Sequence, residues 1–597
     1  MSDRTLRLRC SAGQYDAVVA ISEEMLNAQL KDYWKRVKKF QKIEETLDNA
    51  TLTASLKASR VTIPSEGGSC QMYYHVIFDT ATLKTPDGSV FTLDSSDLAF
   101  KVDIALQHAS EADLPHLQEL LNVPGEFSVQ RLMLDFGLAE VSAFDPSHSS
   151  VKLTGAPDAG GKAAAYLQKL TASWLVHHSD VESALNKMIG SLRGGNNAVK
   201  FPILYYALPP NKGQVGHTGR IYQPTAARHQ LYPFQRGDGQ ASQNSASNCL
   251  LYLETTAKNG QLPAEEQFPN SNGIFVTADG DPNQRVKGSM CISSRLIFDN
   301  YLVPVLRPII KRAELDCISA SASSSSRTKP YEWSYRFGDN VQHPDWNDDY
   351  FLMTRQQGRD DLYDSSGWFN NRVPEMDNYH GWRWLGAVDI VGTAERTVRP
   401  TAKLTGRSIV NLKYESGTNK AVLTGWSTME LHMRSSDNWE ERSTQIATTG
   451  KWKMEIFLES VDAYDGKLNI RLNWPGQVDF KDWKSSSMGV KGIDPRTVFD
   501  EFHANFKKSL EGVGSYVDEL QGTLKQDCFV LAGNGYLCMK NPIFNDNGDL
   551  LVDLTYNGIP PGAERLQQIT PTAQVAQIKV PAVMNATATP SKVSISA

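Results

Sequence analysis

Apolar positions along this chain switch repeatedly between a period of two and a period near 3.6. Tyr15 to Ala20 is a short apolar run of strand type. Ser22 follows where a helix cap belongs, and Glu23 and Glu24 suit the positive end of a helix. Met25, Leu26, Gln29, Leu30, Tyr33, Trp34 and Val37 then recur at helical spacing and predict a helix of about 18–20 residues. Its other face carries Lys31, Lys35, Arg36, Lys38 and Lys39. From Thr51 to Ser59 the alternation is strict, with Leu52, Ala54, Leu56 and Ala58 on one side. Gln71–Phe78, Ser89–Leu93, Leu98–Gln107 and Ser128–Ala139 extend the strand pattern, and Asp87-Gly88 marks a turn. Gly160 to Leu192 returns to helical spacing through Tyr166, Leu167, Leu170, Trp174 and Leu175, and Phe201–Leu208 reads as a strand.

The second half repeats this plan. Cys291-Ile292-Ser293-Ser294-Arg295-Leu296-Ile297 follows Ala20-Ile21-Ser22-Glu23-Glu24-Met25-Leu26 at an offset of 271 residues (292 − 21), and Asn300 matches Gln29. A domain-sized offset points to two related units rather than a solenoid. Pro304 and Pro308 predict a kink or early break in the second copy of the helix. Ser319–Ser326 reads as a serine-rich loop, and residues 343–378 as an irregular insertion rich in Asp and aromatics. Long strands are predicted at Trp382–Val391, Ser408–Tyr414, Ala421–Met433, Lys451–Ser460 and Lys467–Trp474. Asp494-Pro495 then opens a helix with Val498, Phe499, Phe502, Phe506, Leu510, Val513, Val517 and Leu520 on one face. Phe529–Met539 and Leu550–Tyr556 close the pattern as strands. The predicted organisation is a first unit at 1–285, a second at 286–557 and a Pro-, Ala- and Thr-rich tail at 558–597.

Composition narrows the function classes. The chain has 597 residues, 21% of them charged, with a formal net charge of −6, which gives no global attraction to nucleic acid. No run of about 18 apolar residues occurs, so no spanning helix is predicted. Met1 to Cys10 lacks the apolar core of a secretory signal, and the seven cysteines form no Cys-x-x-Cys pair. The expectation is a cytoplasmic protein with reduced thiols, with export by a leaderless route left open.

Candidate chemistry is sparse. There is no Gly-x-Ser-x-Gly elbow, no phosphate loop and no His-Glu-x-x-His. Gly533-Asn534-Gly535 suits a hairpin better than a dinucleotide loop. Asp279, Asp281 and Asn283 open like a calcium loop, but Gln284 and Met290 stand where the turn glycine and the bidentate Glu belong. His343, Asp345, Asp348 and Asp349, and the pair His177-His178, are metal-type donors whose simpler reading is solvated surface, so no metal is assigned. Asp360-Asp361 could be half of an acid–base pair, with solvated surface again the simpler reading. The basic run Lys31–Lys42 could meet anionic headgroups, although a solvated helix face is its default reading. Ten of the twelve tryptophans lie between 333 and 483, which implies a wide aromatic core, with Trp346 and Trp368 as candidates for a contact surface.

A long apolar helix paired with a many-stranded antiparallel sheet, twice over, resembles the tubular lipid-binding (TULIP) superfamily. Asp16 to Ser22 with its helix, Phe201-Pro202-Ile203, Cys291 to Pro304 and Phe544 to Leu550 more closely resemble the OrfX-type accessory proteins encoded beside clostridial neurotoxins. The prolines of the second helix and the 343–378 insertion depart from that plan. The resemblance implies an α+β fold of two units, each a long helix wrapped by a curved antiparallel sheet. It also implies a lipid or other apolar ligand in the gap, and partner proteins in a toxin or virulence assembly. The expected tunnel lining is Met25, Leu26, Leu30, Tyr33 and Trp34, with Leu296, Ile297 and Tyr301 from the second copy; a dry, closed core needs the same residues. The reading is a non-catalytic binding protein with no cofactor and no nucleic-acid partner. Its alternatives are an interaction module acting through residues 343–378 and an isomerase or cyclase using the tube as a reaction chamber.

Overall fold

The computed structural model describes residues 2–36, 41–65, 71–108, 128–135, 143–155, 161–177, 200–208, 224–235, 245–256, 262–264, 267–279, 281, 283–323, 332–339, 351–356, 381–391, 400–437, 440–460, 467–487, 489–490, 494–524, 529–530 and 537–556. Antiparallel sheet dominates and a few helices pack against it, an α+β arrangement. A six-stranded sheet contains both copies of the repeat. Its order is Pro224–Tyr232, Cys249–Thr256, Ala17–Ser22, Gly288–Ile292, Leu550–Tyr556, Leu537–Phe544. Inserted between its strands in sequence are a ten-stranded sheet from residues 42–208, after Ala17–Ser22, and an eight-stranded sheet from residues 354–530, after Gly288–Ile292.

The two repeat strands are direct neighbours. Every residue in both is buried. Successive side chains on a strand face opposite ways, so the pair feeds two cores. Ala17, Val19, Ile21, Met290 and Ile292 join the larger core, while Val18, Ala20 and Cys291 join a second core with Tyr15, Phe268, Phe275 and Leu551. A run apolar at every position is what a strand covered on both faces requires.

Their register carries a local two-fold relation. Ala17 pairs with Ile292, Val19 with Met290 and Ile21 with Gly288. Shifting one copy by the repeat offset returns the same pairs, so the axis passes through Val19 and Met290. The flanking bonds obey it: Ser22 N–H donates to the Lys287 carbonyl at 3.0 Å, and Ser293 N–H donates to the Asp16 carbonyl at 2.8 Å. So do the caps, since Ser22 Oγ accepts from Met25 N–H at 3.3 Å and Ser293 Oγ from Leu296 N–H at 3.2 Å. Even the ion pairs match, with charges exchanged: Lys287 meets Glu24 at 2.7 Å where Asp16 meets Arg295 at 2.6 Å.

The helices that follow the caps differ. Glu23–Arg36 is an ordinary α-helix, its predicted continuation at 37–40 lying outside the described residues. Arg295–Leu302 is π-helical, with Val303 N–H bonding back to Phe298, and runs into an α-helix at Val303–Ala313 that holds Pro304 and Pro308. A proline lacks the N–H that an α-turn needs four residues earlier. The chain absorbs this by widening the preceding turns, so the predicted break is a change of helix type.

Two further expectations need correction. Leu315–Ser323 is a strand, paired with Glu332–Asp339, so Ser319–Ser323 is not loop, and Ser324–Ser326 lie outside the described residues. Ala320 is buried and Ala322 half-buried, opposite Tyr335 and Trp333, so small residues lie under large ones. Within the 343–378 segment, Phe351 and Met353 are core residues and Thr354–Gln356 is a strand of the eight-stranded sheet. Trp346, Trp368, His343, Asp345, Asp348, Asp349, Asp360, Asp361, His178, Gly533–Gly535 and the 558–597 tail lie outside the described residues, as does the side chain of His177.

Candidate functional site

The long helix Pro495–Leu524 is the element that organises the apolar interior of the second half. It starts as its sequence predicts: Asp494 Oδ1 accepts the Arg496 N–H at 3.0 Å, and Pro495 takes the first helical position. Val498, Phe502, Phe506, Leu510, Val513, Val517 and Leu520 are all buried. Each such burial contributes roughly 1.5–3 kcal/mol. The helix packs against the strands Glu332–Asp339, Glu440–Ser460, Lys467–Asn473 and Val478–Ser487 and against the helix Val303–Ala313.

Aromatic rings set its seat. Phe502 and Phe506 lie 5.9 Å apart and nearly parallel, and Phe480 stacks on His503 at 3.8 Å. Phe506 lies over Gly450, where a β-carbon would come within 2.6 Å of the ring. Only a residue without a side chain admits the ring there. Gly425 does the same for the indole of Trp452.

Between the first turns of this helix and the sheet lies a small gap. Tyr335, Leu404, Met429, Leu431, Ile446, Thr448, Val498 and Phe502 line it. Its volume is about 10 Å³, room for one water at most. Pockets for small ligands run to roughly 300–1,000 Å³, so this gap is a closed seam.

The residues expected to line a tunnel are mostly buried. Met25, Leu26 and Leu30 are buried in the larger core, with Met25 against Gly288. Trp34 is half-buried and its indole N–H donates to the Leu56 carbonyl at 3.1 Å. The side chain of Tyr33 lies outside the described residues. Leu296, Ile297 and Tyr301 are buried in the same core. Polar clamps hold the first helix down: Asn27 exchanges two hydrogen bonds with the Val61 backbone, and Glu23 accepts the Ile63 N–H at 2.7 Å. These positions are thus packed core residues at the junction of the repeat, and the seam lies under a different helix. Helical periodicity identified that helix and its buried face, but not the sheet opposite it.

Other candidates resolve into structural roles. Asp279 accepts the Asp3 N–H at 3.0 Å, and Asp281 accepts the Asn283 N–H in a local turn. Among the described residues no group of three or more His, Cys, Asp or Glu is placed to hold a metal ion, and no helix is long and apolar enough to cross a membrane. Trp382, Trp384, Trp426 and Trp452 are buried, whereas Trp483 is 44% exposed on the strand Val478–Ser487.

No family model matches the chain, and no curated protein sequence matches it. Three solved structures align with most of its length. P47 from Clostridium botulinum A2 aligns at 11% identity and TM-score 0.39, over 91% of this chain and 98% of that one. P47 of Clostridium botulinum E1 aligns at 10% and 0.33, over 91% and 99%. A lipopolysaccharide binding protein aligns at 9% and 0.30, over 91% and 99%. At these scores the likeness is one of coarse outline.

Proposed function

We propose that the chain is a non-catalytic binding protein for a lipid or another elongated apolar ligand. The ligand lies between the helix Pro495–Leu524 and the facing strands of the eight-stranded sheet. In this proposal residues 1–285 and 286–557 are two related units of tubular type, joined through the six-stranded sheet. One observation supports it above the rest: the seam at Val498, Phe502, Met429 and Ile446 is apolar on both walls and closed only by side chains. Methionine in particular repacks at little cost. Opening the seam exposes apolar surface that an acyl chain then covers, at about 25 cal/mol per Å².

Native mass spectrometry with lipid extraction tests this. The wild-type protein should carry stoichiometric lipid or take up a fluorescent fatty acid saturably. Met429→Trp should overfill the seam and abolish uptake, at a cost of about 1–3 kcal/mol in stability from overpacking, in a protein that still unfolds cooperatively. A protein that carries no lipid and takes up no fatty acid overturns the proposal.

A second reading, contact with a partner protein or an anionic membrane, rests on Trp483. It is exposed on an edge strand between Lys481 and Lys484, both also exposed. An indole flanked by cations suits an anionic lipid surface. Trp483→Ser should then reduce co-sedimentation with phosphatidylserine vesicles, and unchanged sedimentation removes this reading.

A further inference from the structure

A second, larger cavity, of about 660 Å³, opens where the repeat junction meets the eight-stranded sheet. Segments far apart in sequence converge on it, among them Ser294-Arg295, Arg355, Trp382, Tyr414 and Asp546 to Asp549. Most polar groups of its floor already have partners. Asp549, buried in the turn between two strands, accepts the Ser294 N–H at 2.7 Å on one oxygen and the Ala12 N–H at 3.1 Å on the other. The exposed Asp546 accepts the Ser416 hydroxyl at 2.5 Å, and its carbonyl accepts the Tyr414 hydroxyl at 3.1 Å. The helix start offers little, since the N–H groups of Ser293, Ser294 and Leu296 all donate within the protein.

Two guanidinium groups face the cavity beside this network, and the charge of Arg355 acts on Asp549 and Tyr414. Arg295 gives one nitrogen to Asp16 at 2.6 Å and remains 44% exposed. It also sits at the positive end of a helix, where a cation is disfavoured and the other copy of the repeat carries Glu24. Arg355 lies 5.4 Å from the ring centroid of Trp382. That indole is fixed: it stacks on Phe298 at 4.0 Å, its N–H donates to Asp299, and it is 1% exposed. A cation over a ring face is held there while its N–H donors stay available. Arg355 is exposed, and among the described residues it forms no hydrogen bond or ion pair.

A guanidinium held over an indole with open donors, facing a cavity that holds a second guanidinium, suits the two-oxygen edge of an oxyanion. We propose that this cavity binds a phosphate monoester, with Arg355 as the bidentate donor and Arg295 as the second cation. The cavity volume leaves room for the group that carries the phosphate. That carrier is either a free phosphorylated small molecule or a lipid headgroup, and the proposal is independent of the apolar seam.

The test is calorimetric titration at low salt with inorganic phosphate and with glycerol 3-phosphate, alongside co-sedimentation with phosphatidylcholine vesicles doped with phosphatidic acid. The proposal expects saturable binding in at least one arm, weakened about tenfold or more by Arg355→Gln. Arg355→Lys, which keeps the charge but loses the fork, should recover only part of it. Binding to the soluble esters alone identifies a free metabolite-type ligand, and binding to vesicles alone a headgroup. Arg355 is a surface residue, so melting temperatures of wild type and variants should agree. No binding in either arm, or equal binding by Arg355→Gln, overturns the proposal.

Discussion

Adding one methyl group at Gly450 tests how the long helix is seated. A β-carbon there would lie 2.6 Å from Phe506 Cδ1 and 3.1 Å from Phe480 Cε1. Carbon atoms rest about 3.5–4.0 Å apart, so the Phe506 ring must retreat by roughly 1 Å. Phe506 is fully buried and flanked by Phe480 and Phe502, so it has little room to do so. Overpacking of this kind costs about 1–3 kcal/mol. Phe506→Ala alone costs about 3–5 kcal/mol through the cavity it leaves. In the double variant the new methyl group enters that cavity and the clash disappears. Gly450→Ala/Phe506→Ala should therefore be less destabilised than the sum of the single changes by about 1–3 kcal/mol. Urea denaturation followed by tryptophan fluorescence measures all four corners of the cycle. Additivity within about 0.5 kcal/mol would refute this seating of the helix.

Three further outcomes follow from the repeat junction. Ser22→Ala and Ser293→Ala each remove one matching cap bond, so each should lower stability by about 1 kcal/mol and the two losses should be nearly equal, as read by chemical denaturation. Glu254 is buried; burial, and to a lesser extent Asp16, raise its carboxyl well above the ordinary value of 4.5. A carboxyl raised by folding contributes stability that is complete below pH 4.5 and is lost as pH rises through the folded value. Glu254→Gln should therefore flatten the fall in melting temperature above pH 4.5 and exceed wild type at neutral pH; a parallel pH profile would contradict this. Asp16 is fully buried and binds Thr256 N–H and hydroxyl as well as Arg295. Asp16→Ala strands these donors and should cost about 3 kcal/mol or more in the same denaturation assay.

Much of this architecture is legible in the order of residues. The strand and capped helix at Ala17–Arg36 announce themselves by a serine between two hydrophobic periods, and their second copy at Gly288–Leu302 by the same residues 271 positions later. Trp452, Met454, Ile456 and Leu458 alternate in sequence and are all buried on one face of their strand. The apolar row of Pro495–Leu524 is equally plain, because a single helix face meets a single sheet. Local patterns fail where partners decide. Ser319–Ser323 lacks strand character of its own and becomes a strand because Glu332–Asp339 pairs with it. The helix Glu23–Arg36 reads as a ligand-facing spine, yet Asn27 and Glu23 clamp it to the backbone at Val61 and Ile63. The phosphate cavity is the least legible feature. It joins positions from 11 to 549, and only the three-dimensional pairing of the two copies brings them together.

The most direct measurement is the lipid content of the native protein. The account predicts stoichiometric lipid, or saturable fatty-acid uptake, in the wild type and its loss in Met429→Trp, whose melting temperature falls through overpacking but whose unfolding stays cooperative. Lipid-free protein that takes up no fatty acid, or full uptake by Met429→Trp, would contradict it.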